Sequence, residues 1–234
     1  MTKTTIPISS RVLYEDNHLI VVNKQSSEIV QGDKTGDQPL SETVKSFIKK
    51  KYNKPGNVFT GVIHRIDRPV SGAIVFAKTG KALTRMNELV KTRGLKKVYW
   101  AIVQNRPELP KATLIHHLTR NPVKNKSTAF NSPRADSKEG ILDYKLIGES
   151  SNYYLLEIDL KTGRHHQIRA QLSAIGCPIK GDLKYGAPRS NKDSSISLHA
   201  RSMEFIHPVK KEPIYIIAPP PSESLWDYFA ENFS

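Results

Sequence analysis

The stretch HRIDRPVSG, residues 64–72, sets one carboxylate, Asp67, between the guanidiniums of Arg65 and Arg68, with His64 one step further out. Neighbouring cations favour the ionised carboxylate. Such a group can hold arginines still as a structural ion pair. It can also act as a nucleophile or stabilise a developing cation, as in glycosyl transfer. Spacing alone leaves both open. A second dense stretch, KTGRHHQIRAQL, covers residues 161–172. Arg164 and His165 fall near the start of an expected helix, a place favourable for phosphate. Arg169 comes one turn later between Ile168 and Leu172, so a partly buried guanidinium is expected, and it needs an anion; Asp67 is a candidate. The plain alternative is a solvated basic helix face. Tyr99, in KKVYWAIV, can offer a flat ring to a nucleobase or can be an ordinary core tyrosine.

Other chemistries find less support. The histidine pairs His116-His117 and His165-His166, with His64, His199 and His207, lack an H-E-x-x-H motif and paired carboxylates at ligand spacing, so no metal site is expected. Gly32, Gly36 and Gly61 build no dinucleotide or phosphate-loop signature, so no nucleotide cofactor is expected. The lone Cys177 excludes an internal disulfide and fits a reducing compartment.

The elements that must position these residues follow from hydrophobic period and turn chemistry. VLYEDNHLIVVNK reads as two strands about Glu15-Asp16-Asn17. PLSETVKSFIKKKY puts Val44, Phe47, Ile48 and Lys51 on one helical face, with Ser41 as the expected N-cap. AIVFAKT reads as a buried strand. KALTRMNELVKTRG repeats the helical period through Leu83, Met86, Leu89 and Val90, with Gly94 as the expected stop. KKVYWAIV is a strand with Tyr99, Ala101 and Val103 on one face. Residues 104–112 and 119–140 read as loops, with short strands at TLIHHL and STAF. ILDYKLIGES and YYLLEIDL form a hairpin. RHHQIRAQLSAIG is a helix with His165, Ile168, Leu172 and Ile175 on one face. Two more strands and a C-terminal helix over about 222–233 close the chain. Strands outnumber helices and tight turns join several. The expected fold is α+β, a mostly antiparallel mixed sheet with flanking helices and a central basic cleft, in a single domain over residues 1–234.

The 234 residues carry 36 Lys and Arg against 22 Asp and Glu, a net charge of +14. Nucleic acid is the usual partner for such an excess. No run approaches the roughly 18 apolar residues of a membrane span, and the first residues lack the apolar core of a secretion signal. A cytoplasmic soluble protein is expected, and a monomer.

Taken in order, the motifs resemble the RluA family of pseudouridine synthases. VLYEDNHLIVVNK resembles its opening strands, HRIDRPVSGAIVFAKT its His-Arg-Leu-Asp-Arg signature, and KKVYWAIV its Lys-x-Tyr-x-Ala strand. LKTGRHHQIRAQLSAIGCPIKGDLKYG and LHARSMEFIHP resemble its third and closing motifs, and the likeness spans about residues 11–219. The resemblance implies the pseudouridine synthase fold, an RNA substrate (tRNA or rRNA) and no cofactor. It implies Asp67 as the catalytic aspartate, Tyr99 as the tyrosine that receives the flipped base, and Arg169 as the arginine paired with the aspartate. It implies Arg65 as the side chain that fills the gap left by the extruded uridine, with His64 and Arg68 as signature neighbours; these three, together with Arg164 and His165 at the expected phosphate-favouring helix start, are the expected RNA-binding residues. Ile66 replaces the usual leucine. NKQSSEIVQG stands where the family carries Asn-Lys-Pro-x-Gly. The likeness starts too early for an S4 RNA-binding domain, so a minimal branch is expected. A non-catalytic RNA-binding protein on the same fold and a metal-dependent nuclease are the alternatives.

Overall fold

The computed structural model describes residues 6–233; of the loose start expected over residues 1–9, residues 1–5 lie outside that range. After a 3-10 turn at Ile8–Arg11 come β1 (Val12–Glu15), β2 (Leu19–Lys24), α1 (Leu40–Lys51), β3 (Gly61–Val62), β4 (Ser71–Ala77) and α2 (Gly80–Lys91). Then follow β5 (Lys96–Val103), β6 (Lys111–Asn121), β7 (Lys126–Phe130), β8 (Lys138–Glu149), β9 (Tyr154–Leu160) and α3 (Gln167–Ala174). The chain ends with β10 (Leu198–Ile206), β11 (Pro213–Ile217) and α4 (Ser224–Phe233). The fold is α+β. It divides into two compact units: one runs up to Leu95 and takes in Arg201–Pro219, the other is Lys96–Ala200 with the chain from Pro220 onward.

In the first unit β2 lies between β1 and β4, antiparallel to both, and β3 pairs with β4. Asp16 makes the β1–β2 turn, its carboxylate accepting the N–H groups of His18 and Leu19 at 2.8 Å each. β2 and β4 are nearly unbroken apolar runs because both faces of this sheet are covered. Leu19, Val21, Ala73 and Val75 pack with Met86 of α2. Ile20, Val22, Ile74 and Phe76 pack with Leu40, Val44 and Ile48 of α1. Each of the larger side chains among them, fully buried, contributes about 1.5–3 kcal/mol. The strand pair β10–β11 adds Met203, Phe205, Ile214 and Ile216 to the α2 side.

Two expected helix boundaries change. Ser41 is not the N-cap of α1; Pro39 holds that place without a side-chain bond. The first N–H groups are instead taken by the incoming backbone, Leu40 N–H to Ile29 C=O and Ser41 N–H to Val30 C=O. Gly94 is not the left-handed residue that stops α2. Arg93 is, at φ 61°, with Arg93 N–H bonded to Val90 C=O and Gly94 N–H to Leu89 C=O. A Cβ at Gly94 would sit 2.9 Å from Leu89 Cδ2, the end of a part-buried side chain that can shift, so space does not demand glycine there. Thr79 caps the start of α2 by accepting from Ala82 N–H.

In the second unit the strands lie in the order β5-β9-β8-β6-β7, each pair antiparallel. The strand expected at STAF is β7, and the flanking stretches expected as loop give up their two ends to the sheet, Thr119–Asn121 to β6 and Lys138–Gly140 to β8. Lys124 and Asn125 sit at the exposed tip of the hairpin, and ladder pairing of β7 and β8 with β6 overrides weak strand propensity. One side of β5 and β9 carries Trp100, Ile102 and Leu155 against Trp226 and Phe229 of α4. Ala170 of α3 packs with Leu118 of β6 and Tyr185. α3 starts at Gln167, so His165 precedes the helix instead of lining it, and His166 takes the N-cap place at φ 51°. Gly176, at φ 73°, ends it. Among the described residues no helix is long and apolar enough to cross a membrane.

Candidate active site

Asp67 lies partly exposed in the segment between β3 and β4. Its backbone is fixed from below by Lys24, the last residue of β2, whose side chain is 1 % exposed. The Lys24 ammonium donates to three carbonyls: Val70 at 2.6 Å, Gln25 at 3.0 Å and Arg68 at 3.1 Å. Burial pulls its pKa down to about 7, against the opposing pull of Glu28 and Asp67. Val70 N–H closes a turn on Asp67 C=O at 3.0 Å, and Ser27 N–H donates to Arg68 C=O at 2.9 Å. Three strong donors thus hold the backbone on which the Asp67 side chain stands. His64 Nε2 accepts Val75 N–H at 3.3 Å, which seats the start of the segment on β4. Arg65 is exposed, and among the described residues no hydrogen bond or ion pair holds its guanidinium. Arg68 reaches the Asp37 carboxylate at the surface.

The segment where the family carries Pro-x-Gly keeps its turn without those residues. Ser27 takes φ 79°, in the left-handed region that glycine ordinarily fills. Glu28 forms a fork with Arg11, at 2.7 and 2.9 Å, and accepts Gln25 N–H, so the loop is anchored by charge as well.

In the second unit Tyr99 is 6 % exposed on β5, opposite Ile158 of β9. Arg169 is buried, as its position between Ile168 and Leu172 leads one to expect. Within its own unit its counter-charge is Asp182, bound through Nε at 2.7 Å and Nη2 at 2.9 Å. Its guanidinium also lies 4.9 Å from the centre of the Tyr185 ring. The Tyr185 hydroxyl accepts Ser127 N–H at 2.8 Å and meets His166 Nδ1 at 2.9 Å. The rings of His165 and His166 stack at 3.8 Å, and His165 contacts Ser127 and Asn125 through its two nitrogens. Arg164 is exposed and donates from Nε to Glu139 C=O. α3 thus buries Gln167, Arg169 and Gln171, and each of them is hydrogen-bonded. Among the described residues no group of three or more His, Cys, Asp or Glu is placed to hold a metal ion.

A family model described as RNA pseudouridylate synthase matches residues 18–174. The chain belongs to this family. An uncharacterised RNA pseudouridine synthase of Synechocystis is 31% identical over 90% of this chain and 65% of its own length. A ribosomal large subunit pseudouridine synthase C of Buchnera aphidicola is 31% identical over 93% of this chain and 69% of its own. The chain thus spans about two thirds of the length of the curated relatives it matches. Among solved structures, human RNA pseudouridylate synthase domain containing 4 superposes with a TM-score of 0.78 at 20% identity, covering 97% of this chain and 95% of that one. At that identity the likeness concerns the fold.

The sequence motifs mark Asp67, Tyr99 and Arg169 but not the groups that hold the Asp67 segment and Arg169. Lys24 ends an apolar strand, and Asp182, thirteen residues from Arg169, carries no periodic signal. Tyr185 stood inside the third motif without a role. The one available sign was chemical: a guanidinium between apolar neighbours needs a carboxylate, and LKTGRHHQIRAQLSAIGCPIKGDLKYG contains only Asp182.

Proposed function

We propose that this protein is an RNA pseudouridine synthase that isomerises a specific uridine in tRNA or ribosomal RNA, acting in the cytoplasm. The family match carries the reading, and the backbone beside Asp67, held by Lys24 through the Arg68 and Val70 carbonyls, supports it. Relatives named as ribosomal large subunit synthases favour ribosomal RNA as the substrate class. In the reaction the N1–C1′ bond of uridine breaks, the uracil turns, and a C5–C1′ bond forms. The proton leaving C5 balances the one gained at N1. The base must leave its stack first. Asp67 is the catalytic carboxylate, toward the sugar or the base. Tyr99 receives the ring, and Arg169 is the third catalytic residue. Arg65 occupies the vacated place in the helix. His64, Arg68, Arg164 and His165 contact the RNA backbone.

The experiment maps pseudouridine in RNA from cells with the wild-type protein, with Asp67→Asn, and with none. Loss of one or a few sites in the deletion and in the Asp67→Asn cells, with RNA binding by the variant kept, is the expected result. Unchanged maps in the deletion, or full modification by the variant, rule the reading out.

A further inference from the structure

Lys97 stands two residues before Tyr99 in β5. Strand alternation puts both side chains on one face, roughly 7 Å apart. Its ammonium lies 3.9 Å from where a Cβ on Gly163 would be, at the turn that leads from β9 into α3. The side chain is half-buried, and burial, the one cause acting on it, holds its pKa below the ordinary lysine value. Among the described residues nothing receives a hydrogen bond or an ion pair from it. Asp143 and Asp159, carboxylates at this end of the sheet, both face Lys161. Glu139 meets neighbouring Arg164 with its backbone oxygen. Lysine is rarely buried without a partner, because a desolvated charge is costly. In such surroundings an arriving anion is attracted more strongly than at a solvated surface lysine.

We propose that Lys97 binds a backbone phosphate of the RNA beside the nucleotide whose base reaches Tyr99. The assignment rests on the function proposed above. A compact ammonium on a flexible stem suits a single phosphate, and Gly163 leaves the approach open because it has no side chain. The competing role is a stem that merely covers apolar surface.

Lys97→Met separates the two, since it keeps the stem and removes the charge. Pseudouridine formation is measured on tRNA and on ribosomal RNA purified from cells lacking the protein, with the wild type, Lys97→Met and Lys97→Arg. Binding of the same RNA is titrated with salt. For Lys97→Met, KM rises about tenfold, kcat stays within about threefold, and the slope of log affinity against log salt falls by about one. Lys97→Arg recovers KM and slope. Lys97→Met melts at or above the wild-type temperature, because an uncompensated desolvated charge is gone. An unchanged KM and slope in Lys97→Met overturns the proposal. So does a variant that melts well below the wild type and loses kcat and KM together, which marks a structural lysine; Lys97→Gln repeats that comparison with a polar side chain. A wild type that forms no pseudouridine on either RNA counts against the proposed function instead, and the salt slope of RNA binding then decides Lys97 alone.

Discussion

Replacing Asp182 by alanine removes both charge-assisted bonds to Arg169, at 2.7 and 2.9 Å, from side chains that are 1 % and 6 % exposed. A buried pair broken on one side costs about 3–5 kcal/mol, because the remaining charge keeps its desolvation penalty. The Tyr185 ring lies against the guanidinium before and after the substitution, so it offsets none of that loss. The net expectation is therefore about 3–5 kcal/mol. At about 2–4 °C per kcal/mol for a chain of this size, the melting point falls by roughly 6–20 °C. Both tryptophans, Trp100 and Trp226, are buried in the same unit as the pair, so tryptophan fluorescence during urea unfolding reads the loss there directly. The double variant Arg169→Met/Asp182→Leu recovers much of the stability while remaining inactive, since both charges of the broken pair are replaced by apolar side chains. A loss below about 1 kcal/mol in Asp182→Ala would mean that the pair is not what stabilises α3, and the reasoning fails.

Lys24 makes stability depend on pH. Its folded pKa is about 7 against 10.5 for ordinary lysine, so between those values the unfolded chain holds the extra proton. Stability from this group therefore rises with pH across that window, by up to about 1.4 kcal/mol per pH unit, and is lost as pH falls toward 7. Lys24→Met abolishes that slope in urea titrations followed by circular dichroism; an unchanged slope would place its origin elsewhere. Ser27→Gly relieves a left-handed serine and gains about 0.5–1 kcal/mol after the extra freedom of glycine in the unfolded chain is counted. A destabilised Ser27→Gly in thermal melts would show that the serine side chain itself holds the loop.

The sheet and helix pattern was legible because both faces of β2 and β4 are packed, and because α1 and α2 keep a regular helical period. Boundaries were less so. Ser41 looked like a cap because its type suits one, yet the N–H groups at that end meet the carbonyls of Ile29 and Val30, which no local pattern announces. Residues 119–140 looked irregular because a two-stranded edge facing water needs few apolar residues.

By itself the sequence determined the chemistry available: one carboxylate among arginines, an aromatic on a strand, a guanidinium inside a short apolar helix, and an ordered motif set naming the family. Only the tertiary structure decided which group holds which. Lys24 bonds to carbonyls 44 and 46 residues away, and Arg169 meets a carboxylate on a separate segment. Burial sets the strength of a charge and distance sets its partner, and both exist only once the chain has closed on itself.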